Sequence, residues 1–248
     1  MISVELVGTA QSELRKKSRI AAFWYLLVTL TGPFVLIYLP SRFIVPGDAA
    51  TTLANITAGQ ALFRLGIVVE FVSAVCFLLT GLALYELFKA VDKGQARIMA
   101  ALVVVSVPVG FFSTLFQIAL LRLGSGADYL KALAPGQLQS LAMAFLDMQK
   151  QSNFIAQIFW GLWLLPLGIL VIKSGFFPKI LGALQEIACF GYLAGCLAFF
   201  LFPGAYAKIN PIANIMAFGE LPFILWLVVV GARLKSPREA APGMLTRA

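Results

Sequence analysis

Residues 65–88 read LGIVVEFVSAVCFLLTGLALYELF, with Glu70 and Glu86 as the only charges. As a helix rising 1.5 Å per residue, this stretch reaches about 36 Å. The hydrocarbon core of a bilayer is about 30 Å thick. A soluble helix of this length would carry many charges on its polar face, whereas here the polar residues are few. A barrel strand would be shorter and would alternate apolar with polar residues. The stretch therefore reads as a membrane-spanning α-helix.

Five further runs share this character, at residues 20–40, 98–121, 154–172, 180–202 and 212–232. Composition agrees with them. Of 248 residues, 60% are hydrophobic and 12% are charged, against about a quarter charged in soluble domains. The first run is about twenty residues long, too long for a signal-peptide core, and no small-residue cleavage site follows it, so it is expected to be retained. The fold class expected is all-α: a polytopic membrane protein with a bundle of six transmembrane helices.

Basic residues give an orientation. Thirteen Lys and Arg fall in the N-terminal tail, the 89–97 and 173–179 connections and the C-terminal tail. Six fall on the opposite side: Arg42, Arg64, Arg122, Lys131, Lys150 and Lys208. The positive-inside rule then puts both termini in the cytoplasm. The expected organisation is a cytoplasmic tail at 1–19, a six-helix domain at 20–233 and a cytoplasmic tail at 234–248.

Several classes of chemistry are excluded. The chain has no histidine, which removes the commonest metal ligand and the easiest general base. Cys76, Cys189 and Cys196 lie inside apolar runs and read as small buried hydrophobes. No phosphate-binding loop, dinucleotide fingerprint or zinc-protease motif is present. The net charge of +8 is dispersed between apolar runs, unlike the basic stripes of nucleic-acid binders. No cofactor, metal or nucleic-acid partner is expected.

In a bilayer the polar residues are the informative ones. Glu70, Gln117, Asn153, Gln157, Asn214 and Glu220 are expected in the outer half of their spans. Arg64 lies at the outer mouth of the second span, where it either snorkels to the interface or holds an anionic group. Its partners would lie on another helix or the outer loop, with Glu220 and Asp48 as candidates. Glu70 and Glu220 read as a structural pair or as a functional site. Gln117, Gln157 and Asn214 read as interhelical hydrogen-bonding groups or as ligands. Glu86 is expected to pair with Lys89, and Gln185 and Glu186 to be solvated. Pro33, Pro108, Pro166 and Pro222 are expected to kink their spans.

Two outer connections are long. In 41–62, Pro46-Gly47-Asp48 reads as a turn, with Asp48 capping a short helix over 49–56. In 122–152, Leu138, Leu141, Phe145 and Met148 mark the apolar stripe of a helix. That helix either lies on the interface or leads straight into the fourth span. Asn55-Ile56-Thr57 also matches a glycosylation triplet.

Four strings carry a family likeness. They are Pro46-Gly47-Asp48-Ala49-Ala50 with Thr52, Asn55 and 62–67; Leu84-Tyr85-Glu86-Leu87-Phe88; 164–168 with 174–182; and Gly219-Glu220-Leu221-Pro222 with 225–227 and Gly231. Over about residues 15–235 the chain resembles the bacterial membrane family catalogued as domain of unknown function 4386. The resemblance implies one six-helix domain in a bacterial plasma membrane. It supplies no activity, and it places Asp48, Asn55, Arg64 and Glu220 in shared strings.

Three functional readings follow. The leading one is a non-enzymatic protein that binds or passes a small or lipidic molecule through an outer-facing polar pocket. Arg64 would hold an anion, and Glu70 and Glu220 would set local charge, with Asp48, Asn55, Gln117, Gln157 and Asn214 around them. The second is a structural or regulatory subunit of another membrane protein. The third is a lipid-acting enzyme with Glu70 and Glu220 as acid and base, which requires the two carboxylates to be close.

Overall fold

The computed structural model describes residues 2–231. The expected C-terminal tail, and the last residues of the six-helix domain, lie outside the described residues. Every regular element among the described residues is helical. Six helices are long and apolar enough to cross a membrane: Gln11–Phe43, Gln60–Phe88, Lys93–Leu123, Pro135–Ser174, Lys179–Leu201 and Pro203–Val229. The protein is thus an all-α, multi-pass membrane protein.

Proline marks where these spans depart from regular helix. In the first, α1 (Ile2–Pro33) ends at Pro33, a π-helical turn follows at Phe34–Tyr38, and α2 (Leu39–Phe43) carries Pro40. The fourth span divides at Trp163 into α6 (Pro135–Leu162) and α7 (Leu164–Ser174), with Pro166 in the first turn of α7. The sixth divides into α9 (Pro203–Ala217) and α10 (Leu221–Val229), joined by a 3-10 turn at Phe218–Glu220 just before Pro222. In each case proline lacks the N–H that an upstream carbonyl needs, so the local helix re-forms with a different period. Pro108 behaves differently and sits inside a continuous α5 (Lys93–Leu123).

All the spans but the fifth are longer than their apolar runs. The helix from Pro135 continues directly into the fourth span, which selects the second of the two arrangements open for 122–152. Its buried face holds Ala142, Gln149 and Ser152, while Leu141 and Met148 are exposed, so the apolar stripe read from sequence is offset from the packed one. Phe202 alone separates α8 (Lys179–Leu201) from α9. Arg122, Lys150 and Lys208 therefore sit on helices, not in loops. Hydropathy registers only the apolar part of a helix, whereas backbone hydrogen bonding carries the helix on past it.

Helix contacts group the chain into two compact units. One comprises the residues up to Leu26, Phe77–Val105 and those from Gln157 onward. Its core holds Tyr25, Leu84, Phe88, Met99, Trp163, Leu164, Leu167, Leu170, Phe223 and Leu227, each almost fully buried. At one end of this unit Lys89 reaches Glu86 at 2.6 Å, as expected, and Lys173 reaches Asp92 at 2.8 Å. Lys173, and then the amide of Gln95, hold the Asp92 carboxyl below its usual range.

The other unit comprises Leu27–Cys76 and Ser106–Ala156. It contains α3 (Ala49–Ala58) and the first part of α4 (Gln60–Phe88), around a core of Leu39, Phe43, Ile56, Phe63, Ile67 and Leu120. The Asp48 amide bonds the Val45 carbonyl at 3.0 Å, closing a turn in which Gly47 has φ +80°. Proline then glycine at the two central positions is the type II preference, because only glycine takes that φ without strain. Asp48 caps α3 as expected, accepting from the Thr51 amide at 2.9 Å and the Thr51 hydroxyl at 2.6 Å.

Those two donors hold the Asp48 carboxyl below its ordinary value. A lowered folded value means that the cap contributes fully above about pH 4, the ordinary aspartate range, and is lost as pH falls through the folded value. Asp48→Ala is expected to fray the first turn of α3, and Asp48→Asn to retain it. Faster amide hydrogen exchange at Thr51 and Thr52 in Asp48→Ala alone checks this.

Candidate functional site

Arg64 stands near the start of α4, and Arg122 in the last turn of α5. The two guanidinium-bearing residues line one open cleft of about 120 Å³ with Ile118, Leu121 and Ser125. Ser125 turns its hydroxyl back onto the Arg122 carbonyl at 2.6 Å, leaving the two arginines as the cleft's charged donors. The Arg64 guanidinium makes one long hydrogen bond, 3.4 Å to Gln60 one turn earlier. Among the described residues, no carboxylate forms an ion pair with either arginine.

The Arg64 partners considered from sequence are engaged elsewhere. Asp48 is held by Thr51, and Glu220 is held by Tyr25 and Tyr192. Asn55 donates to the Phe43 carbonyl at 3.3 Å, tying α3 to the end of α2. Thr57 likewise reaches the Gly124 carbonyl at 3.0 Å, which anchors the chain just before Ser125. Thr57 thereby supports the segment that brings Ser125 to the cleft.

Glu70 faces α5 and accepts from the Gln117 amide at 2.7 Å. Nearby, the Thr31 hydroxyl reaches Ser73 at 2.9 Å. Both contacts join different helices through uncharged donors, the usual way to satisfy polar groups in lipid.

Glu220 belongs to the other unit. Tyr25 of α1 donates to one carboxylate oxygen, and Tyr192 of α8 to the other at 3.4 Å. Gln185, expected to be solvated, is fully buried. Its amide points at the carbonyls of Gly219 (3.4 Å) and Glu220 (3.5 Å). The expected outer-half position rested on a span starting near residue 212. With the helix running from Pro203, Glu220 lies nearer to Val229. Gln157 is half-buried opposite Gly195, and Asn214 is exposed on α9. Glu70 and Glu220 thus fall in different units, each with its own partners.

Tyr25 and Tyr192 escaped the sequence reading, Arg122 was read for orientation alone, and Gln185 was read as solvated. Arg122 was visible as the basic residue ending the third run, matching Arg64 near the start of the second, and antiparallel neighbours bring such ends together. Tyr25 and Tyr192 lie well inside their spans, where a phenol hydroxyl needs a partner.

Residues 20–231 match the family described as Domain of unknown function (DUF4386). An uncharacterized protein of Archaeoglobus fulgidus is 44% identical over 80 residues, which cover 32% of this chain and 46% of that protein. The chain thus matches less than half the length of that relative. No solved structure matches the chain. With the family match covering nearly all the described residues, the chain belongs to the membrane-protein family of domain of unknown function 4386.

Proposed function

We propose that this protein binds a phosphate-bearing anionic group, in the form of a lipid headgroup, at the cleft between Arg64 and Arg122. The observation that carries the reading is that two arginines line one cleft without an acidic partner among the described residues. Paired guanidiniums suit the planar, multi-acceptor geometry of phosphate. Size argues for a headgroup over a whole substrate. A cleft of about 120 Å³ is well below the 300–1,000 Å³ of pockets that enclose drug-sized ligands. Ile118 and Leu121 supply apolar wall on which acyl chains can continue. The orientation that goes with this reading places both termini in the cytoplasm and the cleft at the outer interface of the plasma membrane. Binding here needs no catalytic group.

The test is thermal unfolding in detergent with short-chain phosphatidylglycerol, phosphatidylcholine or inorganic phosphate added. Phosphatidylglycerol is expected to raise the melting temperature of the wild type, and to raise that of an Arg64→Ala, Arg122→Ala double variant much less. A charged hydrogen bond contributes about 1.5–3 kcal/mol, so each single variant should weaken binding by about tenfold or more. A response to inorganic phosphate equal to that of the lipid would identify a free anion as the ligand and overturn the headgroup assignment. Equal shifts in wild type and double variant would overturn the site.

A further inference from the structure

We propose that Glu220 is a proton-binding site, built by side chains from two other helices and separate from the arginine cleft. Three observations converge. First, the carboxylate sits within a membrane-spanning helix and is held by two phenols, Tyr25 of α1 and Tyr192 of α8. Among the described residues no lysine or arginine forms an ion pair with it.

Second, the donors next to the carboxylate are all neutral, and the adjoining Gln185 side chain leaves an acceptor unused. The Gln185 amide is turned toward the Gly219 and Glu220 carbonyls. Its own carbonyl oxygen is buried with no hydrogen-bond donor, and the residue is 0% exposed. An unsatisfied buried acceptor costs free energy, and a half-buried carboxylate within a membrane-spanning helix is itself costly as a bare charge, a cost that a bound proton removes.

Third, the backbone at this point is not regular helix. The 3-10 turn at Phe218–Glu220 precedes Pro222, and it presents the Gly219 and Glu220 carbonyls to Gln185. A 3-10 stretch inside a helix is a recurrent mark of a functional position.

Among the described residues, the titratable side chains bonded to Glu220 are Tyr25 from α1 and Tyr192 from α8. Both are neutral donors, so a proton is the ligand that cancels the single negative charge. A monovalent metal ion has the same charge, but it would have to displace the direct phenol contacts. Proton uptake takes a proton from solvent onto a carboxylate oxygen of Glu220, and release returns it. No other bond changes. Losing the charge weakens what the carboxylate gains from both phenols, which joins α1 and α8 to the sixth span. The protonation state is thereby coupled to the packing of these three helices.

The test is infrared difference spectroscopy of the full-length protein in lipid nanodiscs during a pH titration. A carbonyl stretch of a protonated carboxyl group is expected to appear with falling pH in wild type and in Glu70→Gln. It is expected to be lost in Glu220→Gln. Tyr192→Phe keeps the carboxylate and removes one phenol, and is expected to move the midpoint of that band. It therefore still reports on the site if Glu220→Gln fails to fold. A titrating band unchanged in Glu220→Gln, or a midpoint unmoved in Tyr192→Phe, would overturn the proposal. So would a titration that changes with sodium concentration at fixed pH, which would identify a metal cation as the ligand.

Discussion

Gly168→Leu and Gly182→Leu are each expected to disrupt the α7–α8 pair and to lower the melting temperature sharply. A β-carbon at Gly168 would lie 2.7 Å from the Gly182 carbonyl oxygen and 2.8 Å from Glu186 Cγ. One at Gly182 would lie 2.6 Å from the Gly168 carbonyl oxygen and 2.5 Å from Ile172 Cγ1. The obstacles include backbone on both sides, so rotating a side chain does not relieve them. Helix pairs in lipid gain their association from close packing of this kind, with little hydrophobic drive. Overpacking costs about 1–3 kcal/mol in ordinary cores, and a whole leucine against backbone belongs at or above the top of that range. Gly110→Ala is the control. Nothing lies within 4 Å of its added β-carbon, and α5 is helical there. Better helix propensity should therefore stabilise it by up to about 1 kcal/mol. Thermal unfolding of the three variants in one detergent reads both signs.

Trp163→Ala is expected to cost about 3–5 kcal/mol, the usual range for deleting a buried aromatic ring. The side chain is 1% exposed. Its ring lies 5.3 Å from Phe77 and 5.8 Å from Tyr25, measured between centroids. Trp163 also occupies the joint between α6 and α7, so its ring fills the core where the fourth span is irregular. Trp163→Phe retains most of the volume and should recover most of the loss. Because Tyr25 bridges Trp163 and Glu220, a cavity here should also disturb the carboxylate. Unfolding in increasing denaturing detergent gives the stability ranking.

The six spans were legible because each apolar run is long enough to need a bilayer, and no tertiary contact is required to see that. The cap at Asp48 was legible for a similar reason, since turn and cap chemistry are local. Helix ends were harder to read. Residues 203–211 include Lys208, Asn210 and Pro211, yet they continue the sixth span, because a water-facing helix end still satisfies its own backbone.

The site divides along the same line. Arg64 and Gln117 were singled out as isolated polar residues in apolar runs. That Gln117 bonds Glu70, and that Arg64 shares a cleft with Arg122, depends on which helices neighbour one another. Gln185 was misjudged because distance along the chain from a basic turn does not report which face of α8 is covered. Glu70 and Glu220 were grouped by depth alone, and the fold assigns them to separate units.

The most direct measurement is native mass spectrometry of protein purified from membranes, comparing wild type with the Arg64→Ala, Arg122→Ala double variant. The expected result is a wild-type adduct with the mass of an anionic phospholipid, absent or several-fold reduced in the double variant. A bare polypeptide in both samples, or the same lipid adduct retained by the double variant, would contradict anion binding at the arginine cleft.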